Sequence, residues 1–286
     1  FGTRSGVACP PSAPALHDSG RQDLATDSAT RRLVGQKSRT CRVPMDLVRV
    51  QQPAACGNEK QLAAARRSTA SVGSASEPTS GRDPMAGGAH WAAHELQIDY
   101  EPKLIGSRTG ETQSPEFVAL NTKEKIPVLI DGDLVLTESA AIVTYLGDTY
   151  RTPEFSLTPD FDTPDRAKYN EWLSYIIMEL DAHTLYILRK HRDLAHLYGE
   201  APAAVQAAID GFNKQIRWAL PQVEANEYLI GTSFTGADLM LTTCLDWAIA
   251  YGFDLDPSFH RYRNRIHERS AFIEANRLNS SISAGA

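Results

Sequence analysis

Cysteine is scarce in this 286-residue chain: its four thiols, Cys9, Cys41, Cys56 and Cys244, form no C-x-x-C pair and no metal-ligand spacing. That excludes a disulfide framework and a zinc ribbon, and it fits a reducing compartment. Long apolar runs are missing too. The densest hydrophobic segments are broken by Asp, Glu, Arg or Lys, short of the roughly 18 uninterrupted apolar residues of a membrane helix; the expectation is a soluble, cytoplasmic protein without a membrane partner. Positive charge is lacking where a fold would form. Residues 1–83 hold 12 Lys and Arg against 7 Asp and Glu, whereas 84–286 hold 17 against 28, so the folded part is acidic and no nucleic-acid footprint is expected.

Periodicity is absent from residues 1–83. They are rich in Ser, Ala, Gly, Pro, Arg and Gln and sustain neither the period of a strand nor that of a helix, which predicts a disordered low-complexity extension. Either a transit peptide or translated flanking sequence accounts for such a composition; the seven acidic residues argue against the first.

What remains is long enough for two modest domains. Order is expected from residue 84, with an α/β unit over 84–151, an all-helical unit over 164–276 and a tail at 277–286. WAAHELQI (91–98) reads as the end of a helix, and Tyr100 to Ile105 as a strand interrupted at Pro102. Ser114 and Pro115 are a cap and a first helical residue. IPVLIDGDLVLT (126–137) reads as a hairpin turning through Asp131 and Gly132, followed by a helix from Glu138. The strand that should precede the first helix has no obvious place.

In the second unit, Leu173, Ile176, Ile177, Leu180, Thr184, Ile187 and Leu188 fall on one stripe of a long amphipathic helix. A second helix is expected from about Pro202 to Ala225. A third starts at Thr235, with Asp238 as capping-box partner and Phe234 and Leu239 as a staple; it is apolar nearly all round and reads as the buried centre of its domain. Residues 257–275 read as a basic, exposed terminal helix.

EFVALNTKEKIPVLIDGDLVLTESAAIVTYLGDTY (116–150) and YLIGTSFTGADLMLTTCLDWA (228–248) resemble the two halves of cytosolic glutathione transferases of bacterial, theta-like or beta-like type. The resemblance covers about residues 90–275. It implies a thioredoxin-like amino-terminal domain, an all-α helical-bundle second domain, glutathione as substrate with no metal, a hydrophobic electrophile as second substrate, a detoxification role and a homodimer.

The chemistry of the first motif agrees. A Pro after Ile126 and before a strand is a place for a cis bond, Pro127, that leaves the backbone of Ile126 unpaired at an edge, where an extended peptide adds like a strand. Glu138 and Ser139 stand at a helix amino end that favours an anion. Glutathione's γ-glutamyl carboxylate would sit there, with Ser139 donating its hydroxyl and Glu138 reaching the ammonium. Alternatively, Pro127 is an ordinary edge residue and Glu138–Ser139 only a cap. Lys125 either meets the glycyl carboxylate or is solvated. Tyr169, Trp172 and Tyr175 either line the electrophile pocket or belong to the core. His90 and His94 read as surface histidines rather than a zinc pair, and Asp246 as a hydrogen-bonded structural residue.

The first strand and catalytic turn depart from the family pattern. Family members activate the thiol with a Ser, Tyr or Cys in the turn before the first helix; counting back about nine residues from Glu95 lands on Ala86, which donates nothing. Ser80 and Thr79 carry hydroxyls but follow no credible strand. The catalytic residue is therefore left unassigned. Either the beginning of the chain is altered, or catalysis is weakened or lost. A transferase is the leading expectation, a non-catalytic glutathione-binding or protein-interaction module the alternative, and a glutathione-dependent peroxidase or dehalogenase a third use of the same site.

Overall fold

The computed structural model describes residues 47–50, 87–106 and 110–280. The expected disorder of residues 1–83 lies outside the described residues, except for one strand that corrects it. Backbone β1 (Leu47–Val50) is the missing strand, far upstream of residue 84. It pairs in parallel with β3 (Val128–Asp131) and antiparallel with β2 (Tyr100–Glu101), and β3 pairs with β4 (Leu134–Thr137) to complete the order β2-β1-β3-β4. β2 is only two residues long, because Pro102 offers no ladder N–H.

Helices α1 (Gly87–Glu95), α2 (Pro115–Leu120) and α3 (Ser139–Thr149) complete this unit. Ser114 caps α2, its hydroxyl accepting from Phe117 N at 3.2 Å. The hairpin turns on Gly132 and Asp133, one residue later than the sequence suggests, since Asp131 still pairs with Leu134. Gly132 has φ +59°, so Gly132→Ala is expected to cost about 1–2 kcal/mol in denaturant unfolding, the penalty of a side chain in the left-handed region. Asp131 ties the hairpin to α3, its Oδ2 accepting from Tyr145 at 2.8 Å and Tyr150 at 2.6 Å.

The second unit opens on α4 (Pro164–Tyr175), capped by Thr163, whose hydroxyl accepts from Arg166 N at 3.2 Å. The helix runs on through π-helical turns at Ile176–Leu185, an α-helical turn α5 (Tyr186–Leu188) and π-helical turns at Arg189–Asp193. The expected stripe is its buried side: Leu173, Ile176, Leu180, Thr184 and Leu188 all face the core. After α6 (Ala195–Tyr198), the helix expected over 202–225 is two helices, α7 (Pro202–Gln215) and α8 (Leu220–Ala225), split by a 3₁₀ turn at Ile216–Trp218. Pro221 forces the break, since its ring would clash with the carbonyl four residues back.

α9 (Gly236–Ala250) is the buried centre. Its Gly236 lies so close to α3 that an added Cβ would sit 2.5 Å from Val143. The expected single exposed helix at the end is instead α10 (Pro257–His267) and α11 (Ser270–Ser280), which runs past residue 276. α10 buries Phe259, Tyr262 and Ile266. α11 packs on α1, where Arg269 makes a two-pronged bond to Glu95 at 2.6 and 2.7 Å and Phe272 meets the edge of Trp91. Ala89, Trp91, Ile142, Leu146, Tyr169, Leu239 and Phe234 belong to one continuous core, so the two units share it. Among the described residues no helix is long and apolar enough to cross a membrane.

Candidate functional site

The strand register builds the site. Val128 pairs with Thr137, so Pro127, one residue before β3, and Glu138, one residue after β4, flank the open end of the same hairpin. The loop leading to Pro127 is fixed by buried Asn121, whose Nδ2 donates to the Lys125 carbonyl at 2.7 Å and whose Oδ1 accepts from Lys123 N at 3.1 Å. The Ile126–Pro127 bond is cis. Both residues are half-buried.

Glu138 takes φ +73° at the amino end of α3, although it is not glycine. Left-handed backbone in a residue with a side chain is a strained state that gathers at functional sites. Its carbonyl accepts from Ile142 N at 2.9 Å, so the strain starts the helix without losing its first bond. Ser139 is the first residue of that helix and is half-buried. The structure thus brings Ile126, Pro127, Glu138 and Ser139 to one place.

A cation that the sequence reading passed over completes the group. Lys123 Nζ lies 2.5 Å from Glu138 Oε1 and 2.7 Å from Thr137 Oγ1, bridging the loop to the start of α3. With 45% and 70% of the two side chains exposed, the pair contributes little stability; what it sets is the position of the carboxylate. Lys125 points elsewhere, its ammonium 4.9 Å above the ring of Tyr186 on α5. The spacing of two gave no signal of this, since residues two apart in an extended segment face the same way; the turn at Thr122 and Lys123 and the φ of +55° at Glu124 send the two lysines apart.

The three aromatic residues offered for an electrophile pocket are packed instead. Tyr169 is fully buried with its hydroxyl 3.0 Å from Thr144 Oγ1. Trp172 is buried against Tyr175 and Trp218, and Tyr175 donates to the Gln215 carbonyl at 2.7 Å. His90 is likewise no surface residue. It is buried, its Nδ1 lies 3.2 Å from the Tyr100 hydroxyl, and the same hydroxyl lies 3.2 Å from His94 Nε2. Burial and the neighbouring His94 lower the His90 pKa to about 4, and burial lowers that of His94. Among the described residues no three His, Cys, Asp or Glu side chains gather as a metal group would require. Asp246 is held by Arg263 and, at 3.1 Å, by His267. Cys244 is fully buried, which pushes its thiol pKa well up; Ala86, Ser80 and Thr79 lie outside the described residues.

An open apolar groove of about 480 Å³ runs between α3 and α4, lined by Leu136, Ala140, Ala141, Leu173 and Ile177.

Residues 80–148 match the family described as glutathione S-transferase, N-terminal domain, and residues 175–270 the one described as glutathione S-transferase, C-terminal domain. The chain is 30% identical to glutathione S-transferase D7 of Drosophila melanogaster over 63% of its length and 78% of the relative's. It is 31% identical to glutathione S-transferase 2 of Anopheles gambiae over 59% and 77%. Among solved structures, a delta-class glutathione transferase of Nilaparvata lugens superimposes with a TM-score of 0.59 at 26% identity, covering 69% of this chain and 90% of that one. URE2P8 of Phanerochaete chrysosporium, solved with oxidized glutathione, superimposes at 0.64 and 22% identity, covering 71% and 94%. Two joined domains, an α/β unit with a small sheet and an all-helical unit, are the glutathione transferase fold. The chain belongs to the glutathione S-transferase family.

Proposed function

We propose that the chain binds glutathione at the open end of the β3–β4 hairpin and joins its thiol to an electrophilic small molecule. The observation that carries this reading is the convergence there of the Ile126–Pro127 backbone with strained Glu138 and with Ser139 at a helix amino end. The cysteinyl backbone of glutathione adds beside Ile126 as a short strand. Its γ-glutamyl carboxylate meets the first N–H groups of α3 and the Ser139 hydroxyl, and Glu138, placed by Lys123, accepts from the ammonium. Glutathione-bound structures of fold neighbours support the ligand.

The thiol-activating residue belongs between β1 and α1, in residues 51–86. If it is Ala86, the chain is a glutathione-binding module without turnover, which is the second reading. Retention on immobilised glutathione tests binding, and conjugation of a general aryl halide tests transfer; retention without conjugation would select the module, and no retention would overturn both. Ser139→Ala is expected to weaken glutathione binding by about 1.5–3 kcal/mol, the worth of a hydrogen bond to a charged group. Stability should fall by only about 1 kcal/mol; calorimetric titration and urea unfolding read the two.

We also read the α3–α4 groove as the seat of a second copy of the chain in a cytoplasmic homodimer, as its apolar lining and open shape fit a covered surface. Light scattering that gives a monomer mass at micromolar concentration would overturn this.

A further inference from the structure

Three basic residues stand side by side at the end of the long helix, and two of them are engaged with α9. Arg189 is buried over the ring of Trp247 at 5.9 Å, and Arg192 lies 4.2 Å from the ring centre of Tyr251, close enough to donate to that residue's carbonyl at 3.5 Å. Lys190 turns the other way. Its ammonium lies 5.0 Å from the Tyr186 ring centre and 5.7 Å from that of Tyr198. Tyr186 is also the ring beneath Lys125, which stands two residues before Pro127. The ring therefore links the helix to the loop that forms the glutathione site.

Two ammonium groups thus share one ring, and among the described residues neither meets a carboxylate within ion-pair distance. Tyr186 and Lys190 are half-buried and Tyr198 is exposed. The α6 turn carrying Tyr198 is held to the helix by His191, whose Nδ1 lies 2.9 Å from the Gly199 carbonyl. π-helical turns lie on both sides of Tyr186, at Ile176–Leu185 and Arg189–Asp193, and such widened turns recur at functional sites. Aromatic faces flanked by uncompensated positive charge suit a ring that carries a negative substituent.

We propose that Tyr186, Lys190 and Tyr198 form the wall that receives the second substrate, and that Lys190 selects aromatic electrophiles bearing a carboxylate or sulfonate. The proposal rests on the reading that glutathione occupies the hairpin end. It moves the second-substrate wall from Tyr169, Trp172 and Tyr175, whose rings are packed, to the α5–α6 segment.

The test uses calorimetric titration of the full chain with glutathione, S-benzylglutathione and S-(4-carboxybenzyl)glutathione, so it needs no turnover. The chain is expected to bind the carboxybenzyl conjugate about 5- to 10-fold more tightly than the benzyl one. Lys190→Gln should bring the two conjugates to equal affinity with glutathione binding unchanged, and Tyr186→Leu should weaken both conjugates but not glutathione. Equal affinity of the unaltered chain for the two conjugates would overturn the proposal. So would a parallel loss of glutathione affinity in Lys190→Gln, because Lys190 would then be holding the glycyl carboxylate. Failure to bind glutathione itself would overturn the underlying reading of the site, and this proposal with it.

Discussion

Asp238→Ala is expected to lower the unfolding free energy by about 3–5 kcal/mol, the range for breaking a buried charged network. The carboxylate has no solvent exposure and accepts four hydrogen bonds: from Leu229 N and Thr235 N, each at 2.8 Å, from Thr235 Oγ1 at 2.9 Å and from Tyr262 at 2.7 Å. It therefore joins the start of α9, the loop before it and α10. Alanine would leave two buried N–H groups and two hydroxyls without an acceptor, each costing about 1–3 kcal/mol before relaxation. Urea unfolding followed by tryptophan fluorescence measures the difference. A loss below about 1 kcal/mol would show that water enters and replaces the carboxylate.

Stability should also fall as the solution is acidified from about pH 6.5 to pH 4. His90 has its pKa lowered from 6.5 to about 4, first by burial and then by His94. Between those values the unfolded chain binds a proton that the folded chain refuses, so the unfolding free energy rises with pH and is lost as pH falls. The full effect is about 3 kcal/mol, at about 1.36 kcal/mol per unit. The groups facing this pair are the Tyr100 hydroxyl and, around His94, Glu274 and Arg277 of α11. His90→Gln should flatten the curve over that window. An unchanged slope in the variant would assign the acid sensitivity to other groups.

Much of the fold was legible because it is signalled locally. Ser114 and Thr235 mark helix starts through cap chemistry, the Asp-Gly step marks the hairpin, and the Leu173-to-Leu188 stripe marks the long helix. Residues whose role depends on distant partners were not. LVRV is four residues long in polar surroundings, and its identity as β1 comes from β2 and β3, supplied by residues 100–101 and 128–131. His90 looks like a surface residue in GGAHWAAHE and is buried through tertiary packing of α1, with the ring of Tyr100 from β2 against it. The same holds for the site. Pro127, Glu138 and Ser139 could be read from turn and helix-end chemistry, whereas the partner of Glu138 is Lys123 rather than Lys125, a matter of how the turn at Thr122 and Lys123 aims each side chain. Tyr169, Trp172 and Tyr175 were ambiguous because aromatic residues at helical spacing serve a core and a pocket equally well.

The separation of β1 from α1 has a consequence for how the sheet is assembled. Strand β1 sits between β2 and β3, so the β3–β4 hairpin can pair by itself but β2 cannot join it until a segment far upstream arrives. The entropy of closing a flexible loop rises only by about 0.6 kcal/mol for each doubling of its length. Going from a connector of about 5 residues to one of about 40 therefore costs only about 2 kcal/mol, which a central strand with ladders on both sides offsets. The long approach bears on speed more than on equilibrium, since pairing across a wide sequence separation delays folding. The helical half, held by local caps and stripes, is thus placed to form first and to offer α9 as the surface against which α1 and α3 of the α/β unit pack.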